Sequence, residues 1–234
     1  QSGTRPQIAA VVDYSNGADV LVGEPRMSGP AGLRERRVAI EPGTLHIQLL
    51  ALALASVQLS VRDVILVPMP QNAMPGAFAE GLVSAAVCFP PESNRILEAG
   101  GKVLFHSGQV PGQVVDTLVF DSAFVSRRGP DVPVFVAAYY KAVALMASQP
   151  DEAHAIMARR ENMSVAELRQ TMAGMHFVSR TEQPALLAPG GPVERSLNEL
   201  QGAMMALAQL RQVRNLKDFL IAREFLAAEG GVLT

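Results

Sequence analysis

The chain has 234 residues, 49% of them hydrophobic and 18% charged, which is enough apolar matter for one large core or two small ones. Its net charge of −2 argues against a partner held by charge alone, such as a nucleic-acid backbone or an anionic membrane face. The single cysteine, Cys88, rules out an internal disulfide and leaves the redox compartment open.

Residues 1 to 10 lack the basic and apolar regions of a secretory leader, and Gln1-Ser2-Gly3 reads as an arbitrary start. Ile8 to Val12 reads as a strand, and Asp13 to Asp19 as a polar loop around Asn16-Gly17, a strong turn signal. Val20 to Val22 resumes as strand, and Pro30 to Arg34 suits a short helical turn.

Residues 38 to 55 form the clearest unit. Val38 to Ile40 is a β-branched strand, Glu41-Pro42-Gly43 is turn chemistry, and Thr44 is placed to cap a helix running from Leu45 to Leu54. The first amides of such a helix lack intrahelical partners and carry the positive end of its dipole, so the Gly43-Thr44 pair suits close approach by a small anion. Residues 47 to 59 are also the nearest approach to a membrane span, but Gln48, Ser56 and Gln58 interrupt them and no apolar run is expected to be long enough.

Beyond this unit, strands are expected at Val64 to Val67, Val83 to Phe89, Lys102 to Phe105 and Val114 to Phe120. Helices are expected at Asn72 to Glu80, stopped by Gly81, and at Pro91 to Ala99, stopped by Gly100-Gly101. This alternation predicts a largely parallel, doubly wound α/β sheet. From Val132 onward the pattern is almost entirely helical. Helices are predicted over 134–147, 150–160, 164–173 (opened by the capping box Ser164 to Glu167), 193–210 and 216–228, with a short extended piece at 176–179.

Catalytic motifs are lacking. His46, His106, His154 and His176 are scattered without metal-ligand spacing, and only His46 lies near the candidate helix start. Cys88 sits in an apolar run and reads as a small core residue. Asp13 and Asp19 flank a turn and offer a carboxylate pair, although Asp in such Asn-Gly loops commonly bonds its own backbone. No phosphate-loop, dinucleotide or nucleophile-elbow motif is present. Neither an enzyme nor a cofactor is indicated.

The order of several segments carries a resemblance. Val11-Val-Asp-Tyr-Ser-Asn-Gly-Ala-Asp19, Arg37-Val-Ala-Ile-Glu-Pro-Gly-Thr44, Ala85-Ala-Val87, Glu98-Ala-Gly-Gly-Lys-Val-Leu-Phe105 and Val115-Asp-Thr-Leu-Val119 resemble the solute-binding proteins of nitrate/sulfonate/taurine-type ABC transporters. Phe135 to Ala142, Gln149 to Ala153 and Ser164 to Leu168 are similar to that family's C-terminal helices. The resemblance covers nearly the whole chain. Its motifs are individually modest, and their order and spacing make it specific.

The resemblance implies a type II periplasmic-binding-protein fold: two α/β lobes, two hinge crossings, a helical C-terminal part, and a ligand in the cleft. Residues 20–117 would form the second lobe; 1–19 and 118–234 would supply the hinge strands and the helical remainder of the first. Relative to the family, roughly 60 to 80 residues of strand–helix units are absent ahead of Asp13, and Phe89-Pro90-Pro91 stands where the family commonly has Trp-Glu-Pro. The implied cleft contacts are Ser15 and Asn16 at the first crossing, Gly43, Thr44 and Leu45 at the helix start, Phe89 on the cleft wall, and Asp116 at the return. Asp116 would either hold an amine or bond the hinge backbone; Phe89 suits core and wall equally. With both an anion site and Asp116 engaged, the ligand would be zwitterionic, as taurine is.

The expected role is solute binding for an ABC importer, in the periplasm or extracellular and lipid-anchored, with a membrane permease as partner and a homodimer as one way to cover the incomplete lobe. The alternative is a ligand-sensing module of a signalling protein on the same fold. A third reading, an enzyme akin to thiamine-pyrimidine synthases, lacks their cysteine-rich motif.

Overall fold

The computed structural model describes residues 5–208 and 210–220. In chain order the strands and α-helices are β1 (Pro6–Ser15), β2 (Val20–Gly23), β3 (Arg37–Ile40), α1 (His46–Ala55), β4 (Ile65–Pro68), α2 (Met74–Ala79), β5 (Ala85–Cys88), α3 (Glu92–Glu98), β6 (Lys102–His106), β7 (Val115–Asp121), α4 (Ser122–Arg128), α5 (Asp131–Ser148), α6 (Pro150–Glu161), α7 (Val165–Met172), β8 (Met175–Phe177), α8 (Gln183–Leu186) and α9 (Pro192–Ala206).

Five strands form one mixed sheet in the order β4-β3-β5-β2-β6. Strands β4, β3, β5 and β6 all run in one direction, and β2 alone is reversed, antiparallel to both β5 and β6. The sheet is therefore largely parallel, as strand–helix alternation predicts, with β2 as its one reversed strand. Alternation reports that helices cross between β3, β4 and β5, but β2 enters directly from β1 and runs against its neighbours.

This sheet is covered on both faces, which is why every residue of β2 and β5 is buried. On one face Leu21, Val38, Val87 and Phe105 pack with Leu49, Leu50 and Leu54 of α1 and Ala203 of α9. On the other, Val22, Ala39, Ala86 and Cys88 pack with Met74 and Ala77 of α2 and Ile96 of α3. Helix α1 is enclosed from His46 through Leu54. An apolar surface around the whole helix is what a position between sheet and α9 demands. Its one mid-helix polar side chain, Gln48, donates to the Gln113 carbonyl at 2.5 Å and to the Ser196 hydroxyl of α9.

The second sheet is antiparallel and three-stranded, in the order β7-β1-β8. Strand β1 extends beyond the expected Ile8–Val12. Asp13, Tyr14 and Ser15 pair with β7 on one side and with Phe177, His176 and Met175 on the other, so the predicted loop shrinks to Asn16–Asp19. Helix α4 was not expected; the Asp121 carboxylate caps it by accepting from Ala123 N at 2.8 Å. The predicted capping box Ser164–Glu167 forms, and a second one forms at Ser60–Asp63. Of the helix predicted over 216–228, Leu216–Asp218 is a single 3-10 turn, and residues from 221 on lie outside those described.

Helix α5 corrects a second expectation. Its 18 residues, of mean hydropathy 1.2, are long and apolar enough to cross a membrane by length and composition. One side of it is docked: Val132 and Val136 pack on Ala9 of β1, and the Tyr139 hydroxyl donates to the Val12 carbonyl at 2.8 Å.

Leu50 is fully buried between the five-stranded sheet and its helices. Leu50→Ala is expected to cost about 2–5 kcal/mol, read as a lower urea midpoint at unchanged slope; a loss below 1 kcal/mol would mean that this core is loosely packed.

Candidate functional site

Strand pairing gathers four loops at one edge of the five-stranded sheet. Val20, the first residue of β2, lies opposite Cys88, the last of β5, and opposite His106, the last of β6; β3 runs parallel to β5 and ends on the same side. Asn16–Asp19, Glu41–Leu45, the Phe89 loop and Ser107 therefore share this edge. Ser15, Asn16, Gly43, Thr44, Leu45 and Phe89 all belong to it. Asp116 lies away from the loops, in β7 opposite Asp13 of β1, where the two connections between the sheets run side by side.

The turn before α1 is built by its own residues. Gly43 has φ +79°, a left-handed conformation that favours glycine. The Thr44 hydroxyl donates to the Glu41 carbonyl at 2.7 Å and accepts from His46 N at 3.3 Å. Leu45 occupies the cap position, so the sequence expectation was one residue early, and the Thr44 oxygen supplies the cap from outside.

His46 is fully buried. Its Nδ1 accepts from Glu41 N at 3.0 Å, which places the imidazole proton on Nε2, and that atom has no hydrogen-bond partner. Burial holds the imidazole below its ordinary pKa, with Glu41 and Gln71 acting in the opposite direction. The ring stands edge-on to Phe89, with centroids 6.1 Å apart. Gln71 ties the Phe89 loop down, accepting from Phe89 N at 3.2 Å and donating to Glu92 at 3.0 Å. Phe89 is 40% exposed, which favours a wall over a core position.

The first connection is locked by hydroxyls. Ser15 Oγ and Ser107 Oγ are 2.7 Å apart; Ser107 Oγ also accepts from Gly17 N at 2.8 Å, and Ser15 Oγ accepts from Asp19 N at 3.1 Å. Asn16 N and Ala18 N both donate to the Gly174 carbonyl, where a Cβ on residue 174 would lie 2.7 Å from Ala18 N. A second unpartnered buried nitrogen, His106 Nδ1, belongs to the same edge.

Charge is divided across the site. Asp13 is pushed up to about 6 by burial first, then by Asp116 and Asp19. Asp19 is raised by burial and by Asp116, while its hydrogen bond with Ser15 acts in the opposite direction. These carboxylates favour a cationic neighbour, whereas the α1 terminus and the His46 Nε2–H favour an anion. Burial, then Glu92 and Asp19, push the Cys88 thiol up to about 12, which leaves it a core thiol. Among the described residues no cluster of His, Cys, Asp or Glu suits a metal ion.

Gln71 and Ser107 escaped the sequence reading, and Asp19 and His106 were weighed in it without a place at this site. Each reaches the edge through pairing of distant segments, and only His46 carried a local signal, its place beside Thr44. A cavity of about 180 Å³ lies elsewhere, lined by Tyr14, Pro111, Gly112, Glu182, Ala185 and Leu186.

The fold is that of the periplasmic ligand-binding proteins of ABC import systems. The periplasmic aliphatic sulphonate binding protein of Escherichia coli superposes with a TM-score of 0.71 at 16% identity, over 94% of this chain and 70% of that one. A protein described as the periplasmic sulfonate-binding protein of Methylobacillus flagellatus gives 0.73 at 18% identity, over 97% and 68%. The desulfurization enzyme DSZB has the same fold at lower similarity, 0.59 at 15% identity over 95% and 78%. No protein-family model and no curated protein matches the chain.

Asp13 binds its proton more tightly folded than unfolded. It therefore stabilises the fold fully below pH 3.8, and this contribution is lost as pH rises through about 6. Asp13→Asn is expected to remove this pH dependence and to gain about 2–3 kcal/mol relative to the parent near pH 7.5. Urea midpoints measured from pH 4 to 7.5 check it; parallel profiles for the two proteins would refute the assignment.

Proposed function

We propose that the protein is the solute-binding component of an ABC importer, working in the periplasm or anchored outside the cell, and that it delivers a small anionic or zwitterionic solute of the sulfonate, taurine or nitrate type to a membrane permease. In this reading residues 20–117 form one lobe, while 1–19 and 118–234 form the hinge strands and the other lobe. The ligand sits against the shared edge, and ligand-driven approach of the lobes presents the closed form to the permease.

One observation carries the proposal: the buried, unpartnered His46 Nε2–H at the positive end of α1, whose His46 and Gln48 amides are already taken by Thr44 Oγ1 and the Leu45 carbonyl. A buried donor without a partner costs about 1–3 kcal/mol, and an oxyanion at this helix start would satisfy it. Ser15 and Asn16 would line the hinge side, Gly43, Thr44 and Leu45 the anion side, and Phe89 the wall. Asp116 would hold an amine, its pull strengthened by Asp13 and Asp19. This division of charge favours a zwitterion over a simple anion. No catalytic step is assigned: the buried Cys88 thiol is no nucleophile at pH 7, and the sulfonate-binding neighbours are the more similar ones.

Isothermal titration with taurine, methanesulfonate and nitrate tests this reading. Taurine is expected to bind most tightly. Thr44→Ala, which frees a turn and a cap oxygen, is expected to weaken sulfonate binding about tenfold. Asp116→Asn is expected to erase the preference for taurine over methanesulfonate and leave methanesulfonate itself little changed. Absence of binding for all three solutes, with no small molecule retained in native mass spectra, would overturn the proposal.

A further inference from the structure

Helix α9 carries two buried stripes, and they face different sheets. Ser196, Leu200, Ala203 and Leu207 form the first. Ala203 is buried in the core of the five-stranded sheet, Leu200 and Leu207 pack against that core, and the Ser196 hydroxyl accepts from Gln48 of α1. Val193, Leu197 and Gln201 form the second. Val193 is buried with Val11 of β1, and Leu197 packs against the same cluster. Gln201 accepts from Arg214 N at 2.6 Å and donates to the Arg214 carbonyl at 2.9 Å, which ties α9 to the segment that buries Leu216 in that cluster. At 3.6 residues per turn the two stripes lie about 90° apart around the helix axis, and Arg195, Asn198, Glu199 and Gly202 on the remaining side are exposed.

The chain passes between the sheets at Asn16–Asp19 and again between β6 and β7. Helix α9 adds a link of another kind, a rigid element packed on both. Its fastening to the five-stranded sheet is polar. Gln48, in the first turn of α1 and two residues from His46, donates with one amide nitrogen both to Ser196 of α9 and to the Gln113 carbonyl just ahead of β7. Gln48, Ser196 and Gln201 are all buried. Packing alone would be met by apolar side chains at these positions, whereas a satisfied buried polar network specifies one arrangement of its elements.

We propose that α9 is a strap that fixes the angle between the two lobes, and that Gln48 and Ser196 are positioning residues that hold the start of α1 against it. Sliding of α1 past α9 by one residue, about 1.5 Å, would break the Gln48–Ser196 bond and leave both groups buried without partners. Movement of the lobes is therefore confined to small displacements in which α9 keeps both contacts. The connection to solute binding rests on the transport reading above; the mechanical link between the sheets does not.

Pulsed electron resonance between nitroxide labels at Ala79→Cys, on α2, and Thr171→Cys, on α7 beside β8, tests the proposal in solute-free protein. Both positions are exposed, while Cys88 is buried with its thiol pushed up to about 12 and stays unlabelled. A single narrow distance distribution is expected. Gln48→Met, which keeps the side-chain length and removes the donor, and Ser196→Ala are each expected to broaden it. Ser93→Ala, equally buried in α3 on the opposite face of the sheet, is expected to leave it unchanged. Ser196→Ala deletes a single oxygen and keeps the test decisive if circular dichroism shows that Gln48→Met does not fold. Both variants are also expected to weaken methanesulfonate binding by about threefold to tenfold. A broad distribution in the parent overturns the strap, as does an unchanged width in the folded variants with only a lower urea midpoint. Broadening with unchanged methanesulfonate affinity overturns the positioning role. A parent that binds no solute overturns the transport reading instead, and the distances still decide the strap.

Discussion

Two buried serine hydroxyls hold the two halves of the molecule in register. Ser15 ends the long strand of one sheet and Ser107 follows the edge strand of the other. Their contact, with the Gly17 and Asp19 amides bound to the same oxygens, joins segments 92 positions apart. Each bond is worth only about 1 kcal/mol net, but the group specifies where the chain leaves one sheet and enters the next. The alignment of the Asn16–Asp19 loop with the turn before α1 depends on it. So does the antiparallel entry of β2, which brings the ends of β6 and β5 to the same edge.

This junction is also where charge is concentrated. Burial, then Asp116 and Asp19, raise the proton affinity of Asp13, and burial and Asp116 raise that of Asp19; water is largely excluded from both. The α1 terminus has the opposite preference, and His46 is kept neutral by burial with its remaining proton directed away from the Glu41 amide. A strand connection that needed only hydrogen bonds would not place three carboxylates together. The cost of doing so is a reason to assign the arrangement a role in recognition, and the nearby donors give that role a direction.

The legible parts of the sequence are those whose structure is local. Residues 38 to 55 could be read because a β-branched strand, Pro-Gly turn chemistry and a wholly apolar helix follow one another without interruption. The capping box at Ser164 was equally plain. Asp13 to Ser15 was misread because its composition is that of a turn, and only strands arriving from residues 115 and 175 make it extended. The direction of β2 was hidden for a similar reason: alternation records connections, while direction follows from which neighbours a strand meets. At the candidate site, the Thr44 turn was accessible from spacing. His106 and Ser107 were not, since nothing near them in the chain signals that β6 ends beside Val20.

The two sheets differ in cover, and with it in what each offers the candidate site. Burial on both faces makes the five-stranded sheet a rigid platform, and the loops at its edge inherit that rigidity, as a preorganised site requires. Among the described residues the three-stranded sheet has no such enclosure on its β7 side, where Val119, Val134 and Phe135 are exposed. Strand β1 belongs to both regimes. Its Asp13 and Ser15 face the junction, while Ala9, six residues before Ser15, lies under α5. A contact that orders β7 and α5 would therefore restrain the same strand that carries the hinge-side carboxylates. The candidate site and the packing of α5 therefore share β1 as a common support.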